Sequence, residues 1–194
     1  MTDSPQLRGL LAFGDEVKPS ARAAVQRLRA LGIQTVLVTG DNAGSGNAVG
    51  SLLGLDSVRS QVLPEHKAAI VAELRAAHGP VAMVGDGIND APALAAADVG
   101  IAMSTGTDVA MQAAGVTLMR GDPALVADAL DVSRRTYAKI QQNLFWAFVY
   151  NLVGIPLAAF GLLNPVLAGA AMALSSVSVL SNALLLRRWK GMTA

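Results

Sequence analysis

After Gln142 the chain runs to Arg187 without a charged side chain, and no other feature of its 194 residues restricts the fold as much. Within that stretch, Gln142–Gly161 sets Trp146, Phe148 and Tyr150 among aliphatic residues. Leu162-Leu163-Asn164-Pro165 reads as a tight turn, and Val166–Leu186 is apolar again. At about 1.5 Å per residue, a helix of roughly 20 residues crosses the ~30 Å hydrocarbon core of a bilayer. Arg134, Arg135 and Lys139 precede the first segment, Arg187, Arg188 and Lys190 follow the second, and the connection has no basic residue. The positive-inside pattern puts both chain ends in the cytoplasm and the turn outside. The expectation is a hairpin of two transmembrane helices, about 142–161 and 166–186, in membrane lipid of the cell (inner) membrane. Two core helices of a soluble protein are the alternative.

The rest of the chain is of a different kind. Overall 53% of residues are hydrophobic and 15% charged, against about 25% charged in a typical soluble domain, and the charges concentrate before residue 140. A net charge of +1 gives no reason to expect nucleic acid as a partner. With no cysteine, the chain has no disulfide, thiolate metal site or cysteine nucleophile of its own. Asp3, Pro5 and Arg8 interrupt any signal-peptide pattern.

From Val17 to Met119 helical and apolar β-branched stretches alternate, the pattern of a doubly wound α/β domain. Leu10–Phe13 reads as an edge strand. A helix opens at Pro19 and stops at Gly32. Ile33–Val38 reads as a buried parallel strand and ends in Thr39-Gly40-Asp41-Asn42. There a hydroxyl and backbone N–H groups suit a phosphoryl group, although a Thr at such a place also serves as a helix cap. Ala43–Leu53 is a helix weakened by Gly44, Gly46 and Gly50. Pro64 opens a helix with Lys67 in its first turn, where a positive charge opposes the helix dipole and a nearby phosphate would resolve the conflict. Val99–Met103 and Val116–Met119 are further strands. Asp122 caps a helix opened by Pro123 that runs to about Tyr137. His66 and His78 have no partner at metal-ligand spacing.

Met83–Leu94, MVGDGINDAPAL, follows the apolar run Pro80–Val84, read as a buried strand. Asp86, Asn89 and Asp90 sit just past its carboxyl end, where open α/β sheets place their ligand crevice. Oxygen ligands there suit Mg2+, especially when a substrate phosphate completes the shell. Asp86 faces the ion first, Asp90 binds it directly or through a water, and Asn89 donates to a phosphoryl oxygen. For GDG alone, an ordinary acidic strand-to-helix loop is the plainer reading.

The apolar segments have polar content of their own. Tyr150-Asn151 falls mid-membrane in the first, where Pro156 also frees a carbonyl. Met172, Ser175 and Ser176 fall on or near one face of the second, and Asn182 lies about a turn deeper. A thioether suits monovalent copper, while helix–helix packing is the alternative use of these residues.

Taken together, TGDN at Thr39–Asn42, Pro64 with Lys67, VGDGINDAPAL at Val84–Leu94 and ADVGIAM at Ala97–Met103 resemble the heavy-metal branch of the P-type ATPases. YN at Tyr150–Asn151 and MALSS at Met172–Ser176 resemble its copper-exporting members most. The resemblance runs from about Leu10 to Lys190. It implies a partial doubly wound haloacid-dehalogenase-like phosphorylation domain over 1–138, and the last two transmembrane helices with a cytoplasmic tail over 139–194. It further implies that Thr39, Lys67 and Asn89 act on the phosphoryl group, that Gly40 and Asp41 face ATP, and that Asp86 and Asp90 serve Mg2+. By the same resemblance Tyr150, Asn151, Met172 and Ser176 contribute to an intramembrane Cu+ site. The family's DKTGT string, with its phosphorylated aspartate, and its CPC pair do not occur in this sequence, and Asp15 in GDEVK matches a different segment. The expectation is therefore a piece of a pump that is inactive alone and partners the missing N-terminal part or an intact pump. The alternatives are a catalytically dead, membrane-anchored regulatory remnant and a membrane-anchored phosphatase.

Overall fold

The computed structural model describes residues 16–103, 108–162 and 164–188. The expected edge strand at Leu10–Phe13, Asp15, the Ser104–Thr107 loop and Lys190 lie outside them. The chain forms two compact units, Met1–Pro123 and Ala124–Ala194.

The first unit alternates α1 (Pro19–Ala30), β1 (Val36–Val38), α2 (Ala43–Leu53), β2 (Ser57–Arg59) and α3 (Lys67–His78). It continues through β3 (Ala82–Gly85), α4 (Ala91–Ala96), β4 (Val99–Met103), α5 (Asp108–Ala113) and β5 (Val116–Leu118). Short 3-10 turns, Pro64–His66 and Ile88–Asp90, precede α3 and α4. Pro19 starts α1 with its φ already set for a helix, and Ala21 and Ala24 bury one face. Gly32 ends it in the left-handed region, φ +75°, which lets the Ile33 N–H reach back to Leu28 O at 3.0 Å. Asn42 caps α2 by accepting from Ser45 N at 2.9 Å, so the cap is not Thr39. The three glycines of α2 make it weak by propensity, and close approach explains two of them. A Cβ on Gly46 would meet Ser60 Oγ and one on Gly50 would meet Val58 Cγ2, both on or next to β2.

All strand pairs are parallel, as the helix–strand alternation requires. Among the described residues they form two sheets. β1 pairs with β2, in register Leu37 to Val58, and a separate sheet runs β3-β4-β5. Two expectations are corrected here. β4 is buried through Ile101, Ala102 and Met103, but β1 is only half-buried and β3 alternates between exposed and half-buried, with Val84 at 36% exposure. The cause is pairing. Among the described residues β4 has a strand on each side, whereas β1 and β3 have one each and border a cavity of about 460 Å³ lined by Val36, Val38, Val71, Leu74, Ala82 and Met83. The core of the unit collects around β4, where Leu94 and Ile101 are fully buried beside Ala93, Ala102 and Ala110.

The second unit consists of α6 (Ala124–Ala159) and α7 (Pro165–Leu184), followed by a 3-10 turn, Leu185–Arg188. A helix ending near Tyr137 and a separate one from Gln142 are replaced by one continuous helix that also runs through Pro156. The shift in composition near Gln142 marks a change of surroundings, and no glycine or proline stands there to break the backbone. Among the described residues one stretch, Ala168–Arg187, is long and apolar enough to cross a membrane. Gln142, Asn143 and Asn151 dilute the apolar part of α6. Both helices nonetheless expose large apolar side chains, among them Phe145, Phe148, Leu152, Leu174 and Leu180.

Candidate functional site

Thr39 and Asp86 leave the carboxyl ends of β1 and β3, the positions where parallel strands present side chains to a ligand. Hydrogen bonds tie the two ends together through one loop. Thr39 O accepts from Val62 N at 3.0 Å and Asp41 O from Gln61 N at 2.8 Å. The loop then enters the Pro64–His66 turn and delivers Lys67, whose Nζ lies 2.7 Å from Asp90 Oδ1. Gln61 holds the bend with φ 57°, a left-handed conformation uncommon for a residue with a Cβ.

The Lys67–Asp90 pair is well shielded, with side-chain exposures of 18% and 12%. The second oxygen of Asp90 accepts from Gly87 N at 3.2 Å. Gly85 leaves room for this carboxylate, because a Cβ there would fall 2.8 Å from Asp90 Cβ. The unfavourable first-turn position of Lys67 is thus offset by a carboxylate of the protein, where a phosphate had been the expected remedy. An ammonium holds three N–H donors, so this pairing leaves donors for a second anion. Asp86 and Asn89 are exposed. Thr39 Oγ1 donates to Asp41 Oδ2 at 2.8 Å and accepts from Asp41 N at 3.1 Å, closing a tight turn that exposes Gly40. Sequence reasoning named Thr39, Gly40, Asp41, Lys67, Asp86, Asn89 and Asp90; the structure puts them at strand ends and turns, and directly joins Lys67 to Asp90 and Thr39 to Asp41.

The donor set can be tested against Mg2+. Among the described residues no group of three or more His, Asp or Glu side chains gathers as a protein cage. Mg2+ more often keeps waters and takes one or two carboxylates plus substrate phosphate. An exposed Asp86, in the same strand-end string as Asp90, fits that second mode.

In the helix pair, Asn151 Nδ2 donates to Ala147 O at 2.8 Å and Ser176 Oγ to Met172 O at 3.1 Å, each within its own helix. Met172 is 73% exposed, Tyr150 half that, and the Tyr150 ring lies 6.5 Å from that of Trp146. Among the described residues no hydrogen bond joins Tyr150 or Asn151 to Met172 or Ser176. Side chains that sequence reasoning did not connect carry the contact between the helices. Asn182 Oδ1 accepts from Lys139 Nζ at 2.7 Å, and Asn182 Nδ2 donates to Asn143 Oδ1 at 2.8 Å. The only sequence signal was their shared polarity in apolar segments.

The profile of the haloacid dehalogenase-like hydrolases matches residues 2–98, the part of the chain that contains every strand-end residue above. The chain belongs to that family. This haloacid dehalogenase-like chain is homologous to heavy-metal P-type ATPases. It is 56% identical over 95% of its length to a copper-exporting P-type ATPase of Staphylococcus haemolyticus, and 50% identical over 97% to a probable copper-importing P-type ATPase A of Enterococcus hirae. It spans 23% and 26% of those relatives. Among solved structures, a zinc-transporting PIB-type ATPase in the E2.Pi state superposes on 90% of this chain with a TM-score of 0.82 and 38% identity, the match taking 28% of that protein.

Proposed function

We propose that this chain is the part of an ATP-driven Cu+ export pump that supports the transferred phosphoryl group and lines part of the Cu+ path. The observation that carries the reading is the shielded Lys67–Asp90 pair just past the carboxyl end of β3, in the same string as exposed Asp86 and Asn89. A cation anchored by one carboxylate, with donors to spare, suits phosphoryl oxygens that gain charge in a transition state. Lys67 meets those oxygens while Asp90 fixes its position. Asn89 donates its amide. Thr39 releases Asp41 and turns its hydroxyl to the phosphoryl group, which leaves Asp41 and Gly40 facing the nucleotide. Asp86, with Asp90 directly or through a water, holds Mg2+, whose charge offsets that of the phosphate. The carboxylate that takes the phosphoryl group comes from a DKTGT segment outside this chain.

Copper as cargo is supported by Tyr150-Asn151 with Met172 and Ser176, and by the names of the relatives. In this reading α6 and α7 both cross the membrane as a hairpin, and the flanking basic residues keep both ends in the cytoplasm. Other pump helices then cover the exposed apolar side chains. The test is co-expression with the remainder of a copper-type pump bearing CPC and DKTGT, read as ATP-dependent Cu+ uptake by inverted membrane vesicles. Uptake that needs both pieces and falls with Met172→Ala is expected. Pieces that associate without uptake would point to a regulatory remnant and overturn the proposal.

A further inference from the structure

The helix pair holds a half-buried cation with no carboxylate beside it. Lys139 Nζ donates to Asn182 Oδ1 at 2.7 Å and to Gln142 Oε1 at 3.3 Å, and both acceptors are neutral amide oxygens. Asn182 is fixed in turn by its bond to Asn143 at 2.8 Å. Among the described residues no ion pair includes Lys139. The acidic residues of α6, Asp128 and Asp131, stand about 12 Å or more back along the axis at about 1.5 Å per residue, and Asp131 bonds Arg135 at 2.8 Å. α7 has no acidic residue. An ammonium has three donors, so one is left over, together with a positive charge that nothing in the pair offsets. Asn182 falls inside Ala168–Arg187, the stretch long and apolar enough to cross a membrane, about 8 Å from its basic end at about 1.5 Å per residue. Within a turn and a half of Lys139 or Asn182, the apolar Ile140, Leu144, Leu180 and Leu184 are exposed. A held cation thus stands where apolar surface begins.

We propose that Lys139, held in place by Asn182, is the headgroup site for one anionic glycerophospholipid of the cytoplasmic leaflet. The phosphodiester takes the third N–H of Lys139 and offsets its charge, and the acyl chains cover the exposed apolar side chains beside it. Both halves of such a lipid are needed: a soluble anion has no use for Ile140 and Leu144, and an uncharged lipid leaves the ammonium unmet. A choline headgroup carries its own cation, which competes for the phosphate, so a headgroup with net negative charge fits better. Loop charges set orientation, whereas this site selects a lipid, because the amide bonds to Asn182 and Gln142 keep the ammonium between the helices. The site rests on the membrane hairpin proposed above and is independent of copper and of phosphoryl transfer.

Trp146 is a built-in reporter, since it stands two turns from Lys139 on the same face of α6 and is 50% exposed. The test uses the full chain with Trp189→Phe, which leaves Trp146 as its one tryptophan, in phosphatidylcholine vesicles. Graded amounts of phosphatidylglycerol or phosphatidylcholine brominated on the acyl chains are added, and quenching of Trp146 gives their relative affinities. Phosphatidylglycerol should be preferred by about fivefold or more. Lys139→Gln should bring the ratio close to one with helicity retained by circular dichroism, whereas Lys139→Arg, which keeps the charge, should preserve it. Lys190→Gln, a loss of charge from the tail, should also preserve it, and soluble glycerol phosphate should not displace the lipid. Equal quenching by the two lipids, a preference that survives Lys139→Gln or is lost with Lys190→Gln, or displacement by glycerol phosphate would overturn the proposal. Quenching by both lipids alike removes the headgroup site and leaves the hairpin standing; quenching by neither removes the hairpin and the site with it.

Discussion

Asp90 and Lys67 show how much one pairing decides. Their ion pair is shielded, so removing one partner leaves an uncompensated charge in a site that water reaches poorly, at a cost of about 3 kcal/mol. Asp90→Ala should therefore lower the urea midpoint of the chain, followed by circular dichroism in micelles, far more than Asp86→Ala, whose carboxylate is exposed. Asp56 makes a second case, with pH as the variable. The Thr35 N–H at 2.8 Å, then the Arg29 guanidinium at 2.6 Å, hold its carboxyl down at about 2, from 3.8. A carboxyl lowered by folding stabilises the native state when it is ionised. The contribution is thus complete above pH 3.8 and is lost as pH falls through about 2. Wild type and Asp56→Asn should unfold apart at neutral pH and converge near the lower value; a constant separation would contradict the assignment. The candidate site residues could be named from the sequence because glycines and carboxylates crowd into short strand-end strings. The partnership of Lys67 with Asp90 was not, because two 3-10 turns bring together residues that are far apart along the chain.

Among the elements, the same staple occurs twice. Asp56, just before β2, binds Thr35 N and Arg29 of α1, and Asp98, just before β4, binds Val81 N at 2.9 Å and Arg75 of α3 at 2.8 Å. Each ties the entry of one strand to its parallel neighbour and to the helix before it, which holds the register. Close packing of α2 on β2 gives a further test. Gly50→Ala improves helix propensity by about 1 kcal/mol, yet its Cβ meets Val58, and overpacking costs about 1–3 kcal/mol. A net loss of stability is expected, and a gain would mean that the helix can move off the strand. In the helix pair, Asn182→Ala removes the bonds to Lys139 and Asn143, while Lys139 keeps its bond to Gln142 at 3.3 Å, and should weaken α6–α7 association by about 1 kcal/mol in micelles. Helix and strand order was readable from alternating periodicity. Burial of β1 and β3 was misread because apolar composition records what a strand can pack against, whereas exposure depends on whether both its edges are paired. The unbroken α6 was missed for a similar reason, since composition changes with surroundings and the helix does not have to stop there.

For the molecule as a whole, two sheets among the described residues, a candidate phosphoryl site and an exposed apolar helix pair leave surfaces that more protein and lipid can cover. The relatives, of which the chain covers about a quarter, fit that arrangement. The central claim is that this chain supports a phosphoryl group received by another segment. Its most direct measurement is acid-stable phosphoenzyme formed from γ-labelled ATP when the chain is combined with the rest of a copper-type pump. The account predicts label on the other polypeptide's DKTGT aspartate, only when this chain is present, and a drop of about a hundredfold or more with Lys67→Met or Asp86→Asn. Label that forms equally well without this chain, or that ignores both substitutions, would contradict it.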